Sequence, residues 1–275
     1  MTQPVTRIRP ASRWVPLDVR ELVAFRELAW RLVRRDVTVR YRQTVLGVVW
    51  VVLQPLLTAG VFTLVFNRFV GLPSSGDVPY FLVAFWGSTA FTAFSQCVLR
   101  AAQSLVANAP LVEKVYFPRL LLPLSATGSV ALDTLVAGAL GIALQAAYGT
   151  GWRWSLAVLP LCLLTAVLLG LAVGVLCAPL IVRYRDVGYV LPLVTQLLLY
   201  VSPVGYTAAS VPADFRDLYL TNPVASVIEA TRWAALGTTA PATGPLVLGL
   251  AAGAALLVVA TLLFRRQEQG LADVI

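Results

Sequence analysis

The sequence predicts an all-α, polytopic membrane protein with six transmembrane helices, an N-terminal interfacial amphipathic helix and short re-entrant helices between spans five and six. Three observations predict it. Hydrophobic residues make up 59% of the 275 and charged residues only 12%, the mean hydropathy is +0.81, and long apolar runs recur between short basic segments. A chain this apolar is solvated mainly by lipid. Its net charge of +8 would suit nucleic acid if it were gathered on a soluble module, but the basic residues sit between apolar runs, so no nucleic-acid partner is expected.

A helix rises about 1.5 Å per residue, so roughly 20 apolar residues cross a hydrocarbon core about 30 Å thick. Such spans are predicted near Val45 to Phe66, Pro79 to Leu99, Leu120 to Tyr148, Trp154 to Val182, Val187 to Gly205, and Pro245 to Phe264. The chain then divides into an N-terminal segment 1–44, a transmembrane domain 45–264 and a tail 265–275. Ten Arg precede the first span, three basic residues fall between Arg100 and Arg119, two between Arg183 and Asp186, and two after Phe264. The alternate segments carry only Arg68, Arg153, Arg216 and Arg232. Positive residues are retained on the cytoplasmic side during insertion, which predicts that both termini are cytoplasmic. The Arg-rich stretch ahead of Val45 is longer than a secretory leader, so the first helix is expected to be retained.

Ahead of the first span, Asp18 to Arg35 reads as an amphipathic helix. Val19, Leu22, Phe25, Ala29, Leu32 and Val33 share one face, with Arg20, Glu27, Arg31 and Arg34 opposite. Such a helix lies in the membrane interface or packs on a soluble partner, and Arg26, close to the apolar face, would have to snorkel. Between Gly205 and Gly244, Asn222-Pro223 is a helix start, with Asn capping and Pro at the first helical position, and Gly237 is a stop. The resulting helix of about 14 residues is too short to span, so it is either re-entrant or rests on the outer surface. Glu229 and Arg232, three apart, are placed to pair on it.

The chemistry available to the chain is narrow. There is no histidine, and Cys97, Cys162 and Cys177 lie in apolar runs without metal-ligand spacing, so neither a metal site nor a catalytic centre is expected. The chain's one lysine, Lys114, lies outside any glycine-rich phosphate loop, so ATP and Mg would have to be bound by another polypeptide. Attention therefore falls on the basic loop 108–119. There Pro110, Leu111, Val112, Glu113, Lys114, Val115, Tyr116 and Phe117 fit two helical turns bounded by prolines and mix apolar with charged side chains. A short rigid helix of this kind suits a docking surface, and it equally suits an ordinary interfacial loop. Asp133 is the acidic residue set deep in a predicted span, where it needs a cavity, a helix partner or water; Gln196 is a polar residue within predicted span five. Aromatics gather near the predicted outer ends: Phe62, Phe66, Phe81, Phe85, Trp86, Tyr200 and Tyr206. Rings there either stack on sugars or form the usual interfacial belt.

Four stretches together resemble the permease subunits of polysaccharide-exporting ABC transporters of the type-2 class, the Wzm and teichoic-acid exporter permease family. They are RYRQTVLGVVWVVLQPL from Arg40, VEKVYFPRLLLPL from Val112, RYRDVGYVLPLVTQLLLYVSPVGY from Arg183 and NPVASVIEATR from Asn222. The resemblance implies a homodimer in the bacterial inner membrane, docked on two P-loop ATPase subunits, with a channel between the protomers for a polyprenyl-diphosphate-linked glycan. It implies a coupling helix at Pro110 to Phe117, an interfacial gate helix in the N-terminal segment, and extracytoplasmic gate helices within 206–243 that include Asn222, Pro223, Glu229 and Arg232. Arg40, Arg42, Arg183 and Arg185 become candidates for meeting the diphosphate at the cytoplasmic entrance. An exporter for small lipids or drugs would share this topology, and an ion-coupled transporter would need coupling-ion sites at broken helices.

Overall fold

The computed structural model describes residues 19–42, 49–71, 78–151, 153–207, 221–238 and 243–271. They are helical almost throughout. The helices are α1 (Val19–Ala24), α2 (Arg26–Arg42), α3 (Val49–Phe62), α4 (Tyr80–Ala107), α5 (Ala109–Lys114), α6 (Leu121–Ala147), α7 (Leu159–Arg183), α8 (Val187–Val201), α9 (Pro223–Leu236) and α10 (Thr243–Leu271). A π-helical stretch, Thr63–Phe69, extends α3, and a 3-10 turn, Trp154–Val158, leads into α7. Five of the helical segments are long and apolar enough to cross a membrane: Val49–Phe69, Tyr80–Ala107, Leu121–Ala147, Trp154–Arg183 and Gly249–Gln267. Helix α8 is apolar but shorter, at 15 residues. The chain is an all-α polytopic membrane protein.

Helix α4 is the centre. Nineteen of its 28 residues are buried, and it packs against α3, α6, α7 and α9. Its closest neighbour is α7, and the reason is small side chains. Gly170 and Gly174 form a G-x-x-x-G face on α7, where a Cβ on Gly170 would fall 2.7 Å from Cys97 Cβ and one on Gly174 would fall 2.5 Å from Ala101 Cβ. Apolar association has no hydrophobic drive inside lipid, so close backbone approach through small residues supplies the packing. Gly141 on α6 clears space for Trp86 in the same manner.

The amphipathic segment differs from a free surface helix. It breaks at Phe25 and runs on to Arg42, seven residues past the expected end at Arg35. Its apolar side docks into the core: Leu32 is buried, Leu22, Phe25, Leu28 and Ala29 pack beside it, and Val33 sits against Gly128 of α6. Arg26 is exposed. Spans two and five also differ from the expected bounds. Helix α4 continues past Leu99 to Ala107, and α8 stops at Val201 so that Ser202 to Tyr206 runs as non-helical chain.

That non-helical stretch is held by α9. Asn222 caps α9, its side chain accepting a hydrogen bond from the Val224 amide at 3.0 Å. Pro223 takes the first turn and Gly237 ends the helix at φ 63°. The helix is buried on nearly every side among α4, α7, α10 and the 3-10 turn, which excludes a helix resting on the surface. From it Arg232, 0% exposed, donates through Nε to the Val83 carbonyl at 3.0 Å, through Nη2 to Val204 at 2.7 Å, and through Nη1 to Tyr206 at 2.8 Å and Glu229 at 2.9 Å. The Tyr80 hydroxyl donates to the carbonyl between them, on Gly205. Gly87 leaves room for the guanidinium, because a Cβ there would overlap Arg232 and lie 2.8 Å from the Val204 oxygen.

Two outcomes follow from this packing. Arg232→Met keeps the length but strips the donors from three buried carbonyls and removes the ion pair with Glu229, a loss of roughly 3 kcal/mol; the purified protein should melt well below wild type, and an unchanged midpoint would contradict the clamp. Gly170→Val should separate α4 from α7 at a cost of about 1–3 kcal/mol, whereas Gly60→Ala, where a Cβ would meet nothing, should leave the midpoint nearly unchanged.

Candidate docking and translocation sites

Connectivity gathers three of the predicted sites at one end of the bundle, where α4 ends, α6 begins and α7 ends. Helix α5 is shorter than the two turns expected and stops at Lys114, with Val115 extended at φ −131° and ψ 133°. Two features explain the early stop: β-branched Val115 disfavours another helical turn, and Phe117 precedes Pro118, whose ring pushes the preceding residue out of helical geometry. The loop has two faces. Val112 and Phe117, the latter 4% exposed, insert into the core and hold it. Pro110, Glu113, Lys114 and Val115 face outward, and Tyr116 projects furthest at 85% exposed; Leu111 lies between, half-buried. The outward surface therefore excludes Phe117 and is led by Tyr116.

The loop is also braced. Arg35 of α2 donates to the Asn108 side-chain oxygen at 2.6 Å and pairs with Asp36 at 2.9 Å. Asn108 in turn donates to the Ser104 carbonyl at 2.8 Å. The amphipathic segment and the loop are thus joined at the point where α5 begins, a contact between residues far apart in sequence that reading along the chain does not find.

Arg183 and Arg185 lie exposed at the same end, Arg183 with its guanidinium carbon 5.5 Å from the centroid of the Tyr184 ring. Arg42 is exposed at the end of α2. Arg40 lies in the same helix, and its side chain is outside the described residues, as is Val45 at the expected start of span one.

The aromatic residues separate into two groups. Phe85 and Trp86 are fully buried and meet edge to face at 5.7 Å over Gly141, so they are core packing between α4 and α6 and not part of an exposed lining. Phe62 and Phe66 stack at 5.8 Å and close over Gly205, and Phe81 stacks on Tyr148 at 6.3 Å. Tyr200 is 66% exposed on α8, where Gln196 is exposed as well, and the Tyr206 hydroxyl donates to the Tyr200 carbonyl at 3.2 Å.

Asp133 lies 3.5 Å from Arg100. Reading Arg100 as the start of a loop placed it outside the bundle; it sits within α4, and its Nη1 also donates to Ser129 at 3.1 Å. Both charged residues border a cavity of about 350 Å³ between α3, α4 and α6. Gln54, Thr89, Thr92, Gln96 and Thr134 add polar groups to its wall. Among the described residues no group of His, Cys, Asp and Glu is arranged to hold a metal ion.

Comparison with known proteins identifies the family. The ABC-2 type transporter family matches residues 27–236, a range that contains all four stretches that carry the resemblance. Two O-antigen export system permease proteins named RfbA are similar to the chain. The one from Myxococcus xanthus is 28% identical over 257 residues, covering 93% of this chain and 98% of that protein. The one from Klebsiella pneumoniae is 26% identical over 206 residues, covering 73% and 77%. With the family match running from α2 through α9, the chain belongs to the ABC-2 type transporter membrane family.

Proposed function

We propose that this chain is the membrane-spanning subunit of an ATP-driven exporter that moves lipid-linked polysaccharide across the bacterial inner membrane. The observation that carries this reading is the outward face of the α5 loop, led by Tyr116 and braced through Asn108 and Arg35. A small exposed surface on rigid supports is what a partner needs if it is to push on the bundle without the push dissipating in loop motion. The names of the relatives, which are O-antigen export permeases, supply the cargo class.

In this reading two copies of the chain meet along the exposed faces of α3 and α8, where Leu57, Val61 and Leu64 on one helix and Leu193, Val194 and Leu197 on the other are open. α8 then completes a six-span bundle with both termini in the cytoplasm. Two P-loop ATPase subunits bind ATP and Mg and perform the hydrolysis. Their closure moves the α5 loops, and the helices rearrange to open a path between the copies. Arg42, Arg183 and Arg185 face the diphosphate at the cytoplasmic entrance. Tyr200 and Tyr206 offer ring faces to sugars further along, while α9, clamped by Arg232, bounds the outer mouth.

Depletion of the chain tests the cargo. Lipid-linked glycan should accumulate on the inner leaflet, and export of a drug or small lipid lost without that accumulation would favour the small-molecule reading. The docking face is tested by the Lys114→Ala, Tyr116→Ala double variant, which should insert normally yet export glycan at about a tenth or less of the wild-type rate, since truncating two central interface residues costs on the order of 2 kcal/mol or more. Undiminished export in that variant would count against the docking assignment.

A further inference from the structure

The cavity between α3, α4 and α6 is a feature that docking and dimer formation leave unexplained. It lies within one copy of the chain, and its volume of about 350 Å³ falls in the range of small-ligand pockets. Its wall combines three kinds of group. Trp50 presents an indole that is 48% exposed. Gln54 and Gln96 present amides that both donate and accept, and Arg100 and Asp133 form a charged pair 3.5 Å apart. Thr89, Thr92 and Thr134 complete the wall, with the Thr89 side chain largely buried behind it.

The charge balance selects the ligand class. Arg100 and Asp133 are the charged residues on this wall, and they neutralise each other. A phosphate or diphosphate entering here would meet a guanidinium already paired and a carboxylate that repels it. A neutral polyol meets a flat ring to stack on, planar amides, and a carboxylate and guanidinium that bind vicinal hydroxyls without net charge. We propose that this cavity is a binding site for a neutral sugar ring. Two sources share that chemistry: the glycan being exported, in which case the site rests on the exporter reading above, and a glycolipid headgroup of the surrounding membrane.

The test uses the full chain in lipid nanodiscs with a photoreactive octyl glucoside, and the same alkyl chain bearing a phosphate as control. The glucoside should label peptides of α3, α4 and α6 that border the cavity. Labelling should fall about tenfold in Gln96→Leu and in Trp50→Leu, each checked to elute like wild type, because each removes an interaction worth about one decade of affinity. Labelling unchanged in both variants, spread evenly along exposed α8, or equally strong with the phosphate probe would overturn the site. Mass spectrometry of lipids held by wild type and lost from Gln96→Leu separates the sources. A polyprenyl-diphosphate-linked sugar assigns the site to the cargo, and a glycolipid assigns it to the membrane. The labelling is read on purified chain without export, so its failure leaves the exporter reading to the depletion test.

Discussion

Inside a membrane every backbone carbonyl that leaves a helix must find a donor, and water is not there to supply one. At the end of α8, Ser202 to Tyr206 abandons helical geometry and so needs such donors. The break is repaired by one buried guanidinium. Arg232 gives its donors to Val204 and Tyr206 on the irregular stretch and to Val83 on α4, with Glu229 balancing the charge. Around this clamp the neighbouring choices become intelligible. Gly87 is small because the guanidinium passes it, Gly205 is small because Phe62 and Phe66 close over it, and Tyr80 reaches the Gly205 carbonyl. Arginine suits the position because its planar fork satisfies several acceptors at once and stays charged when buried.

The opposite end of the bundle is organised by a lighter set of contacts. Two apolar side chains, Val112 and Phe117, root the α5 loop, while Arg35 and Asn108 brace it from the side. Both ends are tied to α4, which begins at Tyr80 beside the Arg232 clamp and reaches Ala107 one residue before Asn108. Its 28 residues are packed on several sides by α3, α6 and α7, so a displacement of the loop is carried by a rigid element rather than lost in side-chain motion. The polar cavity at Arg100 and Asp133 lies along the same helix, between the two ends.

Much of this was legible in the sequence, and the exceptions share a physical cause. Helix α9 could be read to the residue because its signals are local: Asn222 caps, Pro223 pre-sets the first turn, and Gly237 adopts the left-handed stop. The depth of Arg232 could not be read, because three of its partners are backbone carbonyls brought near by the fold and their residue types carry no sign of it. Arg100 looked like the end of a span, since a lone cation in lipid is costly, and it is housed inside α4 only because Asp133 and Ser129 face it from α6. Phe85 and Trp86 resembled interfacial aromatics by composition, and it is Gly141 on a different helix that turns them into core. Phe117 looked like part of the exposed loop until Pro118 and the broken helix turned it inward.

The claim at the centre is that Tyr116 stands at the contact with a partner ATPase. A photo-crosslinking residue at position 116, with one at exposed Val258 of α10 as a control away from the loop, tests it most directly in native membranes. The prediction is a crosslinked product at position 116 that contains a P-loop ATPase and is missing at position 258. Products at 116 that contain only lipid or other membrane proteins would contradict it.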